Sequence, residues 1–371
     1  MTTAIVSDLH LGAAGDFDLL RRDELREALL EAIDGARRLV LLGDVIELRD
    51  RPLPDALALA APVLRELAGA VDELVLVPGN HDHRLVASWL ERRALDGEPP
   101  LGVAERAPDD AFPLPELRER AEAELVVSYP GFWVREDVYA THGHYLDRHL
   151  TIPSFERLGL ALVERTLGIQ PAPPDPPGSP ERGDEPHGAD DYERVVAPVY
   201  AFLFALAQAS GRDRAVGAPS RRIWEALTGG ESRVARLRGW LLGSVAVPGA
   251  VTVANRLGLG PVRADLSPGA ITRAGIDAMG EVVERLAIEA SWVVFGHTHR
   301  RGPLEGEPQW RTPTGPLLLN TGSWVYAPAL VRSGGNRSPY WPGSVVLVDE
   351  TGPPRHVHVL DDWAPAQLDD S

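Results

Sequence analysis

Residues 4–10, Ala4-Ile5-Val6-Ser7-Asp8-Leu9-His10, set a short unbroken apolar run directly before a polar turn, and residues 39–47, Leu39-Val40-Leu41-Leu42-Gly43-Asp44-Val45-Ile46-Glu47, do the same. Apolar runs without polar alternation mark strands buried on both faces. Asp23 to Ile33 and Asp55 to Ala70 carry helical periodicity between them, and Leu74 to Val77 is a third run. The amino-terminal quarter of the chain therefore predicts β-α-β-α-β, each strand ending in a polar, glycine-containing loop. Function in α/β sheets gathers at those carboxyl ends. Further strands are predicted at 125–128, 132–135, 138–141, 292–295, 317–320 and 345–348.

Five polar clusters each follow a predicted strand: Asp8-Leu9-His10, Gly43-Asp44-Val45-Ile46-Glu47, Gly79-Asn80-His81-Asp82, His142-Gly143-His144 and Gly296-His297-Thr298-His299. Singly, each reads as a helix cap or a satisfied loop hydrogen bond. Together, five loops at one edge of one sheet present carboxylate oxygen, amide oxygen and imidazole nitrogen. In an extended loop Asp8 and His10 point the same way and close on one ion, and His297 and His299 repeat that spacing. Glycine before Asp44, Asn80 and His297 permits sharp turns. The donor set lacks sulfur and suits manganese, iron, zinc or nickel better than calcium or copper. Seven such donors are too many for one catalytic ion with an open position, but they serve two divalent ions if one carboxylate bridges.

Composition narrows the reading further. A chain of 371 residues exceeds what one core usually fills, which predicts a large domain with an insertion, or two domains. With 44% hydrophobic and 25% charged residues, most of it is expected to fold. Thirty-seven basic against 54 acidic side chains give 37 − 54 = −17, which argues against affinity built on neutralising nucleic-acid phosphates. All the basic residues are Arg, a sign of GC-rich coding bias. Cysteine is absent, which excludes disulfides, thiolate metal sites and cysteine nucleophiles. Met1-Thr2-Thr3 runs straight into Ala4-Ile5-Val6 without a charged or long apolar leader pattern, which carries the expectation of a cytoplasmic protein.

From Leu150 to Ala290 the sequence turns helical and amphipathic, interrupted by a Pro-rich stretch, 170–187. This predicts a core of 1–148 and 291–371 and an inserted helical cap of 149–290. Two uncharged stretches, Val195 to Gly211 and Gly239 to Asn255, each hold 17 residues, at or below the lower limit for a membrane span. Buried cap helices are the expectation, with peripheral membrane contact as the alternative. Tyr200, Phe202, Phe204, Trp224 and Trp240 are expected to form the insertion's own core.

The five blocks resemble the pattern of the calcineurin-like metallophosphoesterases, D-x-H, G-D-x-x-D/E, G-N-H-D/E, a later His with Gly, and G-H-x-H, and all five stand here in order. The resemblance covers roughly residues 3 to 148 and 292 to 350. It implies a four-layer αββα sandwich carrying the helical insertion, and two metal ions, manganese first among them. One would be held by Asp8, His10, Asp44 and His299, the other by Asp44, Asn80, His142 and His297. His81 would be the non-ligand histidine near the leaving group and Asp82 its orienting partner. Ser7-Asp8-Leu9-His10-Leu11-Gly12, Glu47 and the helical insertion resemble the UDP-2,3-diacylglucosamine hydrolases within that superfamily. Those enzymes carry Arg in place of His81 and H-G-D in place of His142-Gly143-His144, so fold, metal site and reaction type carry over but substrate does not.

The implied reaction is hydrolysis of a phosphoester or pyrophosphate bond by a hydroxide bridging two cations, with His81 as general acid. Its other role would be a hydrogen bond to a ligand. The substrate class is a small or lipid-linked phosphoester. A silent scaffold is opposed by the full ligand set, a nuclease by the net charge, and a protein phosphatase by the departure at Gly43 to Arg49 from G-D-x-V-D-R-G. His83, His144 and His149 read as substrate contacts, ligand supports or surface residues, Asn320-Thr321-Gly322-Ser323 as a supporting turn, and His356 and His358 as solvent-facing.

Overall fold

A computed structural model of the chain describes residues 1–15, 17–152, 155–166, 188–209, 265, 267–331 and 334–369. The Pro-rich stretch, the uncharged stretch at 239–255, Trp224 and Trp240 lie outside these residues. The described residues fall into two compact units, one of 1–144, 200–209 and 288–369, the other of 145–199 and those up to Ala287.

The first unit opens as the apolar runs predict. Strands β1 (Thr3–Val6), β2 (Arg38–Leu42) and β3 (Glu73–Val77) pair in parallel, with helices α1 (Asp23–Ala32) and α2 (Leu53–Gly69) as the crossovers. Helices α3 (Arg84–Asp96) and α4 (Leu114–Ala121) follow, with β4 (Glu105–Arg106) between them and β5 (Val126–Tyr129) after them. Strands β6 (Gly131–Arg135) and β7 (Val138–Thr141) begin a second sheet. Strands β8 (Trp292–Phe295), β9 (Trp310–Arg311) and β10 (Leu317–Asn320) complete it, while β11 (Ser344–Val348) and β12 (Arg355–His358) return to the first. Among the described residues the orders are β12-β11-β1-β2-β3-β5-β4 and β6-β7-β8-β10-β9.

The two sheets share one core. Ile5, Val40, Leu42, Val75, Val77, Val346 and Val348 of the first meet Val138, Ala140, Val294 and Leu319 of the second. The alternate residues Leu39, Leu41, Leu74 and Leu76 are buried on the opposite face, where α2 lies against β3. Burial on both faces is why these strands carry no polar alternation. This is the expected α/β sandwich of two sheets with helices outside them. The predicted strands recur within a residue at each end, while β4 and β9, two residues long, have no periodicity to read.

In the second unit every regular element described is helical: α5 (Phe155–Thr166), the first half of α6 (Ala189–Ala209) and α7 (Pro268–Arg285). Tyr145 stacks on Tyr192 with ring centroids 4.5 Å apart, and His149 Nε2 is 2.7 Å from the Tyr192 hydroxyl. The second half of α6 belongs to the first unit and departs from the expectation of an inserted core. Phe202 is 61% exposed, and Tyr200 and Phe204 face Arg49, in the loop after β2, and Arg84, at the start of α3. Periodicity identifies an apolar helix face but not the surface it meets. Among the described residues no helix is long and apolar enough to cross a membrane.

The shared core sets the expected energetics. Ile5→Ala is expected to cost about 2 to 5 kcal/mol, lowering the urea midpoint at unchanged slope. Leu95→Ala, at a side chain 86% exposed, is expected to stay within about 0.5 kcal/mol. Equal midpoints for the two variants would contradict the packing.

Candidate metal centre

The loops after β1 and β2 continue side by side beyond the sheet. Asp8 N–H donates to the Gly43 carbonyl at 3.0 Å, His10 N–H to Asp44 at 2.8 Å and Leu11 N–H to Val45 at 2.9 Å. Asp8 and His10 converge through left-handed backbone, with φ of 54° and 45°, rather than through the extended loop their spacing suggested. Asp44, His297 and His299 share that conformation, at 49°, 68° and 56°. Residues with a Cβ adopt it rarely, and the neighbouring loops hold these five there.

The glycines act mostly through space. Gly43 has φ of 81°, as a sharp turn requires, but a Cβ on Gly79 would lie 2.4 Å from Asp44 Oδ1, and one on Gly296 2.6 Å from Asp8 Oδ2. Close approach, more than turn geometry, excludes larger residues there.

The ends of β1, β2 and β3 in the first sheet and of β7 and β8 in the second, not of one sheet as the clusters suggested, bring the predicted residues together. Three sets, Asp8 with His10 and His299, His10 with Asp44 and His81, and Asp44 with His142 and His297, each place their donor atoms within 4.8 Å of one another. Asn80 Oδ1 lies 3.1 Å from both His142 Nε2 and His297 Nδ1. Rotating that amide would turn its NH2 toward the two imidazoles and Asp44. The oxygen-inward orientation is the one that suits a cation among these lone pairs. His10 Nε2 and His299 Nε2 are 3.3 Å apart, and His142 Nε2 is 3.2 Å from Asp44 Oδ2. Asp8 Oδ1 is buried without an aligned hydrogen bond, although His299 Nε2 is 3.2 Å away. Hard oxygen and imidazole donors with an unsatisfied buried carboxylate oxygen fit a divalent metal.

A ring of supports surrounds these donors. His10 Nδ1 is 3.0 Å from Glu47 Oε2, and His142 Nδ1 donates to the Leu42 carbonyl at 3.0 Å, so both Nε2 atoms turn inward. Ser7 Oγ lies 2.5 Å from Asp8 Oδ2 and 2.5 Å from Thr321 Oγ1. Asn320 Nδ2 donates to the Gly296 carbonyl at 2.8 Å and Thr298 Oγ1 at 3.0 Å, so the 320–323 segment does support the last histidine loop.

His81 and Asp82, paired in expectation, separate here. The Asp82 carboxylate accepts from Val45 N–H at 2.7 Å, Ile46 N–H at 3.3 Å and Gly79 N–H at 2.6 Å, tying two loops together. His81 Nδ1 instead lies 2.6 Å from Glu47 Oε2. Glu47 thus serves two histidines, a role that its position three residues after Asp44 gave the only signal for.

Electrostatics follow from this crowding. Burial would depress the His10 imidazole, but the Glu47 hydrogen bond and the Asp44, Glu47 and Asp8 charges raise it to about 9. His142 is likewise carried against its burial to about 9 by Asp44 and Asp8. Asp8 and Asp44 are lowered despite burial, by His299 and His142 respectively above all. Burial and then Asp44 push Asp82 up to about 6.

The remaining histidines divide. His144 is buried 3.1 Å from the Tyr129 hydroxyl, and burial with the neighbouring imidazoles holds it well below its ordinary value. His83 packs on Tyr129 and Tyr200. His149 sits against Tyr192 in the other unit. His358 is exposed as expected, but His356 is enclosed between Ser344 Oγ at 3.1 Å and the Gly302 carbonyl at 3.4 Å. Its burial, and then His358, lower it to about 4.

The family model described as calcineurin-like phosphoesterase matches residues 1–194, more than half of the chain. No curated protein matches it. Among solved structures, the chain is similar to a phosphopantetheinyl hydrolase of Mycobacterium tuberculosis at 13% identity, over 90% of this chain and 92% of that one, with a TM-score of 0.33. It is also similar to a dimetal phosphatase of Danio rerio at 14% identity, over 97% and 99%, with a TM-score of 0.33. A cold-active protein-tyrosine phosphatase of a psychrophilic Shewanella matches at 12% identity, over 96% and 80%, with a TM-score of 0.27. Likenesses this slight say nothing of activity. The ordered blocks, the two-sheet sandwich and the family match place the chain in the calcineurin-like phosphoesterase family.

Proposed function

We propose that the chain is a hydrolase of small-molecule phosphoester or pyrophosphate bonds that works with two divalent cations, manganese first among them. The observation that carries this is the convergence of lone pairs, with the Asn80 amide oxygen facing His142 and His297, and His10 facing His299. Asp8, His10, Asp44 and His299 would hold one ion, and Asp44, Asn80, His142 and His297 the other. Cations held there would supply Lewis acidity, lowering the pKa of a bound water and countering the charge of phosphate oxygens.

The chain's own residues do the rest. Glu47 and the Leu42 carbonyl fix the tautomers of His10 and His142. With Nδ1 of His81 held by Glu47, Nε2 is the atom left to protonate the departing oxygen. Asp82 contributes by locking the loop of Asp44 to that of Asn80. A scaffold without catalysis would have no need for five donor residues in left-handed backbone.

Hydrolysis of p-nitrophenyl phosphate or its bis ester is expected with added Mn²⁺, and its loss in excess EDTA. Full activity in EDTA with no bound metal would exclude the proposal. Asp44→Asn is expected to be the most damaging single ligand change, with fewer than two metals per chain by elemental analysis.

His81→Ala is expected to lower kcat by about 10² to 10⁴ with both metals retained, and less for good leaving groups. An equal loss across leaving groups would assign it to positioning instead.

Metal uptake is expected to release protons. His10 and His142, raised to about 9, carry protons at pH 7.5 that a cation must displace. Calorimetry in buffers of different ionisation enthalpy is expected to show about two protons released per chain. Affinity then weakens as pH falls. Uptake without proton release would contradict the imidazole assignments.

A further inference from the structure

The second half of α6 lays a line of side chains beside the metal-ligating cluster. The His144 ring is 5.7 Å from that of His142 and 5.8 Å from that of Tyr200. Tyr200 is also 5.3 Å from His83, and the Arg49 guanidinium lies 5.2 Å over its ring while donating to the Asn80 carbonyl at 2.6 Å. One helical turn further along, Phe204 lies under the guanidinium of Arg84 at 5.6 Å. Phe112 approaches the same guanidinium at 5.7 Å.

Arg84 is the anomaly in this line. Many of the described arginines are paired with carboxylates, as Arg26, Arg93, Arg118 and Arg148 are, and others such as Arg51 and Arg311 donate to backbone carbonyls. Arg84 has no ion pair and no hydrogen bond with any described residue, and its Nε is buried without a partner. Two phenyl rings attract its charge but accept none of its five N–H groups. A guanidinium so placed keeps its in-plane donors for an oxyanion, which it binds in fork geometry. It stands three residues after His81, at the first residue of α3.

We propose that Arg84 is a specificity residue that receives a second anionic group, carried on the leaving part of the substrate, with Tyr200 and Phe204 lining the stretch between that anion and the scissile phosphorus. The inference rests on the phosphoesterase reading above. It narrows the substrate class to phosphoesters or pyrophosphates bearing a further phosphate or carboxylate several bonds away.

A homologous series of α,ω-alkanediol bisphosphates, compared with the monophosphates of the same diols in the presence of Mn²⁺, tests this. The kcat/KM ratio of bisphosphate to monophosphate is expected to reach about tenfold or more at a preferred chain length, the scale of one charge-assisted hydrogen-bonded pair. It is expected to fall to about two, the statistical value for two equivalent phosphates, in Arg84→Ala and Arg84→Gln, with Arg84→Lys between. Because both substrates meet the same enzyme, the ratio does not depend on the fraction folded. ω-Phosphooxyalkanoates form a second arm: a gain there as well assigns a general oxyanion site, and a gain with bisphosphates alone assigns a phosphate site. A ratio no greater than about two at every length in the parent protein, or an enhanced ratio that survives Arg84→Ala, overturns the proposal. If neither p-nitrophenyl phosphate nor its bis ester is turned over, the phosphoesterase reading itself fails. Turnover of either ester with a flat ratio removes the Arg84 assignment alone.

Discussion

Val6 lies opposite Leu41 in the parallel pairing of β1 and β2, and that register passes beyond the sheet into the loops that carry Asp8, His10 and Asp44. Each loop hydrogen-bonds the next, so one donor cannot shift without moving the backbone of another. A one-residue slip of either strand would turn its buried residues to the wrong face and move its donors off the cluster. Packing on both faces of the sheet makes such a slip costly, which ties the precision of a polar site to the burial of Ile5, Val40 and Val75.

Much of this was legible in the chain itself. The apolar runs at 4–6, 39–42 and 74–77 announced buried strands because burial on both faces erases polar alternation. The clusters after them announced a metal centre because few other needs gather hard donors at five strand ends. Short-range spacing failed where the reason was tertiary. Asp8 and His10 converge through left-handed turns, not through extended backbone, and no residue pattern states that. Glu47 was present in its block, yet its service to both His10 and His81 depends on loops 37 and 34 residues away in sequence. The resemblance pairs Asp82 with His81, whereas its carboxylate faces three backbone N–H groups.

Charge distribution completes the picture. A chain with a formal charge of −17 has to attract an anionic substrate locally. It keeps the carboxylates at the centre matched with imidazoles, and holds Arg49 and Arg84 on aromatic faces beside it. Elsewhere arginine is spent largely on partners of opposite sign. Local field and overall charge therefore differ in sign of effect, and the net charge of the sequence describes solubility and nonspecific affinity rather than the site.

Five donor residues in left-handed backbone, at about 1 to 3 kcal/mol each, oppose folding by an amount comparable to the whole stability of an ordinary domain. Glycine at any of them would relieve that strain while deleting a donor. Selection for thermal stability alone, with no demand for turnover, would therefore drift toward glycine in these loops, and the cluster would be lost from the positions where it looks best protected by its surroundings. The two aspartates and three histidines held there thus set a strain that burial in the two-sheet core has to offset.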